Sequence, residues 1–181
     1  MSNLSTATGT WVIDPTHTNL GFSARHAMVA KVRGTFAEFA GSFTIDGDNL
    51  AASSAEVTIQ VASIDTKTAD RDAHLKSPDF LDAETFPTIT FVSTAVAAKG
   101  DDVVITGDLT IHGVTKSVDV AYEFIGISQD PWGQTKIGFE GSTKISRKEF
   151  GLTWNAALET GGVLVGDEIK LNLDVEATKQ A

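Results

Sequence analysis

Residues 103–124, VVITGDLTIHGVTKSVDVAYEF, decide the fold. Val103, Ile105, Gly107, Leu109 and Ile111 share one parity, and beyond His112-Gly113 so do Val118, Val120, Tyr122 and Phe124. A repeat of two gives each segment one apolar and one polar face, as in a half-buried strand. The His-Gly pair between them is a turn signal.

The same rhythm extends in both directions. Leu20, Phe22 and Ala24 alternate, as do Val57, Ile59 and Val61. Downstream, Ile137, Phe139, Gly141 and Thr143 form one set and Ile169, Leu171, Leu173 and Val175 another. Further turn signals fall at Asp46-Gly47, Lys99-Gly100, Pro131-Trp132-Gly133 and Gly161-Gly162. Thr, Val and Ile supply 49 of the 181 residues, and their stiffness at χ1 favours strands. Only residues 66–84 (TKTADRDAHLKSPDFLDAE) break the pattern. They are rich in helix formers, with Thr66 or Thr68 as a cap and Pro78 as a stop. A second short turn is expected at Asp79-Phe80-Leu81, before a strand over 88–94.

Many antiparallel strands with one helical insertion must hide their edges, which a closed barrel does and a sandwich does less completely. The expected fold is an all-β, antiparallel barrel of about eight strands. Such a barrel is either filled by side chains or holds one small ligand. The ten phenylalanines suit a lumen wall and a solid core equally. No linker or internal repeat divides the chain, so one domain is expected over 11–178 after a flexible tail at 1–10.

Composition removes several function classes. There is no cysteine, which excludes disulfides, thiolate zinc sites and thiol chemistry. The net charge of −10 disfavours nucleic acid as a partner. Apolar runs are too short for a membrane-spanning helix, and no basic amphipathic helix marks a docking surface. The opening MSNLSTATGTW has neither the basic nor the apolar region of a secretory signal, so a cytoplasmic location is expected, or a periplasmic or secreted one for a trimmed chain.

Motifs for catalysis are missing: no GxSxG, P-loop or GxGxxG occurs. His17, His26, His74 and His112 are widely spaced and read as separate hydrogen-bonded residues, with a shared metal or haem site as the rival reading. Asp70, Arg71 and Asp72, followed by Asp79, Asp82 and Glu84, read as a solvated helix with local ion pairs. One feature opposes the global charge. Between Asp14 and Glu38 there is no acid, yet Arg25, Lys31 and Arg33 stand there with His26. That is either a surface hairpin or a cationic spot for an anionic or polar head group. Arg147, in ISRKEFGLTWN, reads as part of a barrel closure.

Five blocks, taken together and in order, resemble the YceI-like family of lipocalin-like, polyisoprenoid-binding proteins. They are WVIDPTHTNLGFSARH (11–26), VRGTFAEFAGSF (32–43), SIDTKTADRDAHLKSPDFLDAETFPTITF (63–91), GDLTIHGVTKSV (107–118) and ISRKEFGLTWN (145–155). The resemblance implies a lipocalin-like barrel whose lumen holds a long amphiphilic chain, an isoprenoid or isoprenoid quinone. It implies a carrier or store and not a catalyst; no cofactor and no metal are expected.

A polyisoprenoid has little hydrogen-bonding capacity, so apolar area must supply its affinity, at roughly 25 cal/mol per Å² less the ordering cost. Parity nominates Phe22, Phe43, Phe91, Ile105, Ile111, Phe124, Phe139 and Trp154 as wall residues. Phe36, Phe80 and Phe86 are placed at an end of the barrel, and Arg25, His26 and Arg33 are head-group candidates. The alternatives are a filled barrel acting as a stress or interaction protein, and a histidine-based metal or haem protein. The expected partner is an isoprenoid-like lipid without stable membrane insertion. Strand edges and surface charge allow a monomer or a homodimer, the latter preferred.

Overall fold

Strands β8 (Asp102–Ile111) and β9 (Val114–Gln129) form the hairpin that their alternation spells out. Val103 faces Tyr122, Ile105 faces Val120 and Gly107 faces Val118, so one face of the pair is apolar along its length. His112 and Gly113 turn the chain with φ of 55° and 73°. Two successive positive φ values match the right-handed twist of the flanking strands. Glycine is needed at the second position for space as well, because a Cβ there would lie 2.6 Å from the Phe86 ring.

The structure, a computed structural model, describes residues 3–181. Before this hairpin come β1 (Gly9–Ile13), β2 (Asn19–His26), β3 (Ala30–Phe36), β4 (Phe39–Ile45), β5 (Ser54–Gln60), β6 (Ile64–Asp65) and β7 (Thr88–Lys99); β10 (Thr135–Ser146) and β11 (Val165–Lys179) follow it. Short interruptions split three long staves. β1 continues into β2, β3 into β4 and β5 into β6, since β1 pairs with β4 while β2 pairs with β3, and β3 pairs with β6 while β4 pairs with β5. The first interruption is local chemistry: Pro15 has no N–H to give a ladder, and the Asp14 carboxylate accepts the Thr16 N–H at 2.9 Å. β11 then bonds to β1 at one end, with Trp11 opposite Lys179, and to β2 along its other half, with Phe22 opposite Leu171. The result is a closed, eight-stranded antiparallel barrel, as expected.

One short helix, α1 (Ala69–Lys76), lies within the span that broke the alternation. Its cap differs from expectation. Thr68 occupies the N-cap position without a side-chain bond. The Asp72 carboxylate instead accepts the Thr66 N–H at 2.8 Å and its hydroxyl at 2.5 Å. The helix stops at Ser77, extended at φ −76° and ψ 168°, because a residue before proline is driven out of the helical region. The expected second turn follows, with the Phe80 N–H donating to the Ser77 carbonyl and Leu81 to Leu75. It buries Phe80 and Leu81 against the barrel end.

At the opposite end the sequence expectation of a tail is corrected for the described residues 3–10. Asn3–Ala7 form a 3-10 turn. Leu4 and Ala7 are buried, and the Trp11 indole N–H donates to the Ala7 carbonyl at 2.9 Å. An indole buried at the end of a barrel must find an acceptor, and the first residues provide it. Trp11, Val96, Val103, Ile137 and Ala177 pack around this end, and Val61, Ile64, Leu109, Ile111 and Phe150 around the helical end.

Candidate functional site

The barrel interior is not filled. Two cavities stack along its axis, one of about 500 Å³ below α1 and one of about 170 Å³ toward Trp11. They meet at a belt of Leu20, Ile59, Leu109, Leu171 and Leu173, each of which touches both. The larger lies within the roughly 300–1,000 Å³ of small-molecule pockets.

Inward-facing glycines help to keep the lumen open. Gly34 stands opposite Phe22 and Gly141 opposite Tyr122. At each, an added Cβ would run into the facing ring. The rings therefore lie back across the strands instead of reaching over the lumen.

Most of the wall candidates nominated by parity line one cavity or the other. Phe22, Phe36, Phe80, Ile111 and Trp154 line the larger cavity. Phe43, Phe91, Ile105 and Phe139 line the smaller one. Phe124 lines neither. A register shift in the β9–β10 ladder at Gly138/Phe139 accompanies its packing onto Phe139, at 5.6 Å between ring centroids. Phe86 also lines neither cavity, its ring lying 4.7 Å from that of His112.

Polar groups gather at the α1 end. Of the head-group candidates, Arg25 and His26 stand at the rim of the larger cavity, whereas Arg33 is exposed on the outer face of β3. The same rim holds Asp70, Arg71, His74 and Arg147. The His74 ring packs edge-on to Trp154 at 4.8 Å and to Phe80 at 5.0 Å, and its Nε2 lies 2.9 Å from Asp79. Arg71 donates to the Thr66 hydroxyl at 2.8 Å and carbonyl at 2.7 Å. Arg71, His74 and Leu75 follow a spacing of three and four, which shares one helix face; that signal could have found them in sequence.

Arg147 is buried, and its guanidinium donates to the carbonyls of Leu152, Gly166 and Val165 at 2.6, 2.9 and 3.3 Å. Burial pulls its pKa down while the nearby Asp167 opposes this, and a guanidinium stays charged throughout. Asp167 is itself pushed up by burial. The Ser146 hydroxyl and the Lys148 N–H more than offset this and leave it below the usual carboxylate range. Arg147 thus ties the end of β10 to the start of β11, the closure role read from sequence, while its flank lines the cavity. In the smaller cavity, burial pushes the Tyr122 phenol up to about 12, so it stays neutral at physiological pH.

The four histidines stay apart. Among the described residues, one set of three metal-capable side chains converges: Asp14, His17 and Glu176. His17 Nδ1 lies 2.9 Å from Asp14 and 3.5 Å from Glu176. The Lys136 ammonium, 3.4 Å from the same Asp14 oxygen, already supplies a positive charge there. The hydrogen bond to His17 holds Asp14 below the usual range, and the same bond, with Glu176, raises His17. The cluster lies outside the lumen, where β1 gives way to β2.

The sequence profile of the YceI-like domain matches residues 11–177. The chain belongs to the YceI-like family. Among its YceI-like relatives, Protein YceI of Escherichia coli is 42% identical over 164 residues, covering 91% of this chain and 83% of the relative. A UPF0312 protein of Photorhabdus laumondii is 46% identical over 134 residues, covering 74% and 70%. The crystal structure of Burkholderia cenocepacia BcnA superposes with a TM-score of 0.79 at 28% identity, over 92% of this chain and 99% of that one. A polyisoprenoid-binding domain from Saccharophagus degradans shares the fold, with a TM-score of 0.72 at 16% identity over 94% and 98%.

Proposed function

We propose that this barrel carries or stores a long apolar molecule of isoprenoid type, its chain along the two cavities and its polar head at the α1 rim. The observation that carries the reading is the distribution of polarity. Aliphatic and aromatic side chains dominate both cavities, with Ser42, Thr44, Ser53 and Ser54 joining them in the smaller one, and charged groups line only the larger cavity, where Arg25, Asp70, Arg71 and Arg147 stand with His26 and His74 at the α1 end. A branched hydrocarbon gains affinity in proportion to the area it buries there, about 25 cal/mol per Å². Likeness in fold to a polyisoprenoid-binding domain supports the same reading. The proposed activity is binding and not turnover, since three of the rim groups are held by partners outside the cavity lining or by the backbone: His74 by Asp79, Arg71 by Thr66 and Arg147 by backbone carbonyls.

The test is organic extraction of freshly purified protein, with mass spectrometry against a matched blank, followed by titration of delipidated protein with geranylgeraniol. A co-purifying isoprenoid, quinone or similar amphiphile near one per chain, or saturable prenol binding, is expected. An empty extract together with no prenol binding refutes the proposal.

A further inference from the structure

The β2–β3 hairpin ends in an unusual turn. Ala27 and Met28 take φ of 51° and 67°, with the Val29 N–H donating to the His26 carbonyl at 3.2 Å. Positions with two positive φ values favour Asn-Gly. Here they hold apolar side chains, and Met28 and Val29 are 59% and 82% exposed. The tip adjoins the mouth of the larger cavity: the Ala27 N–H donates to the carbonyl of Leu164, which lines that cavity. Val163, also exposed, is the next residue along the neighbouring loop.

Behind this tip the outer face of the sheet is cationic. Arg25 lies opposite Lys31, while Ser23 is flanked by Arg33 on one side and Lys170 on the other, and Lys170 lies opposite Lys144. Like charges directly opposite each other are unfavourable in a sheet, and the register imposes this twice. Among the described residues, Arg25, Lys31, Arg33 and Lys170 enter no ion pair, while Lys144 meets Glu168 at 3.4 Å. The acids of the neighbouring strand close to these cations are engaged elsewhere, Asp167 with the Ser146 hydroxyl and the Lys148 N–H and Glu168 with Lys144. At about 3.3 Å per residue Arg25 and Lys31 stand about 7–10 Å from the tip and Arg33 and Lys170 about 17 Å, so a surface that runs from the tip back along the hairpin meets all four.

We propose that this tip and cationic face form a docking surface for an anionic lipid bilayer, with Met28, Val29 and Val163 entering the interface and Arg25, Lys31, Arg33 and Lys170 meeting the head groups. The mouth of the larger cavity then opens onto the membrane. The overall charge of −10 does not prevent this, because screening beyond about 8 Å at physiological salt leaves the bilayer to sense the nearest face. The opposite end has its own exposed aromatic, Trp132 at 85%, but its turn is flanked by Asp130 rather than by free cations. Docking stands apart from the identity of anything in the lumen.

The test is flotation of the purified full chain with vesicles of pure phosphatidylcholine and with vesicles enriched in phosphatidylglycerol. Binding to the anionic vesicles alone is expected, weakened at least tenfold between about 0.1 M and about 1 M salt. Replacing three cations (Arg25→Glu, Lys31→Glu, Arg33→Glu) should reduce it about a hundredfold, from about fivefold per cation. Met28→Ser with Val29→Ser should also weaken it, and Trp132→Ser should not. No binding to anionic vesicles, binding indifferent to salt, or loss with Trp132→Ser overturns the assignment. Dimerisation abolished by the tip variant, without vesicle binding, would give the tip to a second copy and overturn it equally.

Discussion

Truncating two phenylalanines tells a hollow barrel from a filled one without reference to any ligand. Phe150 is 1% exposed and packs among Val61, Leu81 and Leu152. Phe22 is half-buried, set against Gly34 and 5.7 Å from the Phe36 ring, with its free side on the larger cavity. A phenyl ring buries on the order of 150 Å². At about 25 cal/mol per Å², full burial contributes about 4 kcal/mol and half burial about 2 kcal/mol. Phe150→Ala also opens a new cavity, which places it at about 4–5 kcal/mol, whereas Phe22→Ala only widens an existing one and stays near 2 kcal/mol. Guanidinium denaturation of both variants, read by far-UV circular dichroism, measures the difference. Saturating geranylgeraniol should stabilise the parent more than Phe22→Ala, since a ligand that binds only the folded state raises its stability. Equal destabilisation of about 4 kcal/mol by both truncations would mean a filled interior and refute the reasoning.

Other outcomes follow from the same geometry. Arg147→Met should destabilise by about 3 kcal/mol or more, because three backbone carbonyls lose a charged donor; a loss under about 1 kcal/mol in denaturant titration would remove its tying role. His17 should titrate above 6.5 by NMR, and Asp14→Asn should lower it, since the bond to Asp14 is the main cause of the shift. The stability contributed by His17 is complete below its unfolded pKa and lost as pH rises through the raised folded value. That of Asp14 is complete above 3.8 and lost as pH falls through its lowered value, so the pair contributes most between the two. A dry cavity near 150 Å³ takes one benzene, so the lumen should hold about four or five isoprene units. Affinity in a prenol series should climb to that length and then level, and a peak at two units would contradict the volumes.

Which face of each strand turns inward was legible in the chain. Period-two alternation over 103–124 and its counterparts put Phe22, Ile105, Ile111 and Phe139 inside, because side chains on a strand can only alternate. It also located the helix, since 66–84 lack that alternation, and Pro78 set its end. What parity could not supply is register. A bulge at Gly138/Phe139 accompanies Phe124 lying outside both cavities, and a bulge depends on how two distant strands meet. The openness of the lumen was equally beyond reach. Ten phenylalanines fit a core or a wall, and it is cross-strand placement, of Gly34 beside Phe22, Gly107 beside Phe91 and Gly141 beside Tyr122, that lays rings along the strands. Residues that look separate in the chain, Arg25 on β2, His74 on α1 and Arg147 after β10, share one rim because barrel closure brings their strand ends together. Closure likewise made the first residues structural, since Ala7 supplies the acceptor for Trp11. Local periodicity is a property of neighbouring residues and can be read from them. A cavity and its rim are properties of contacts between residues far apart in the chain, and these exist only once the sheet has closed.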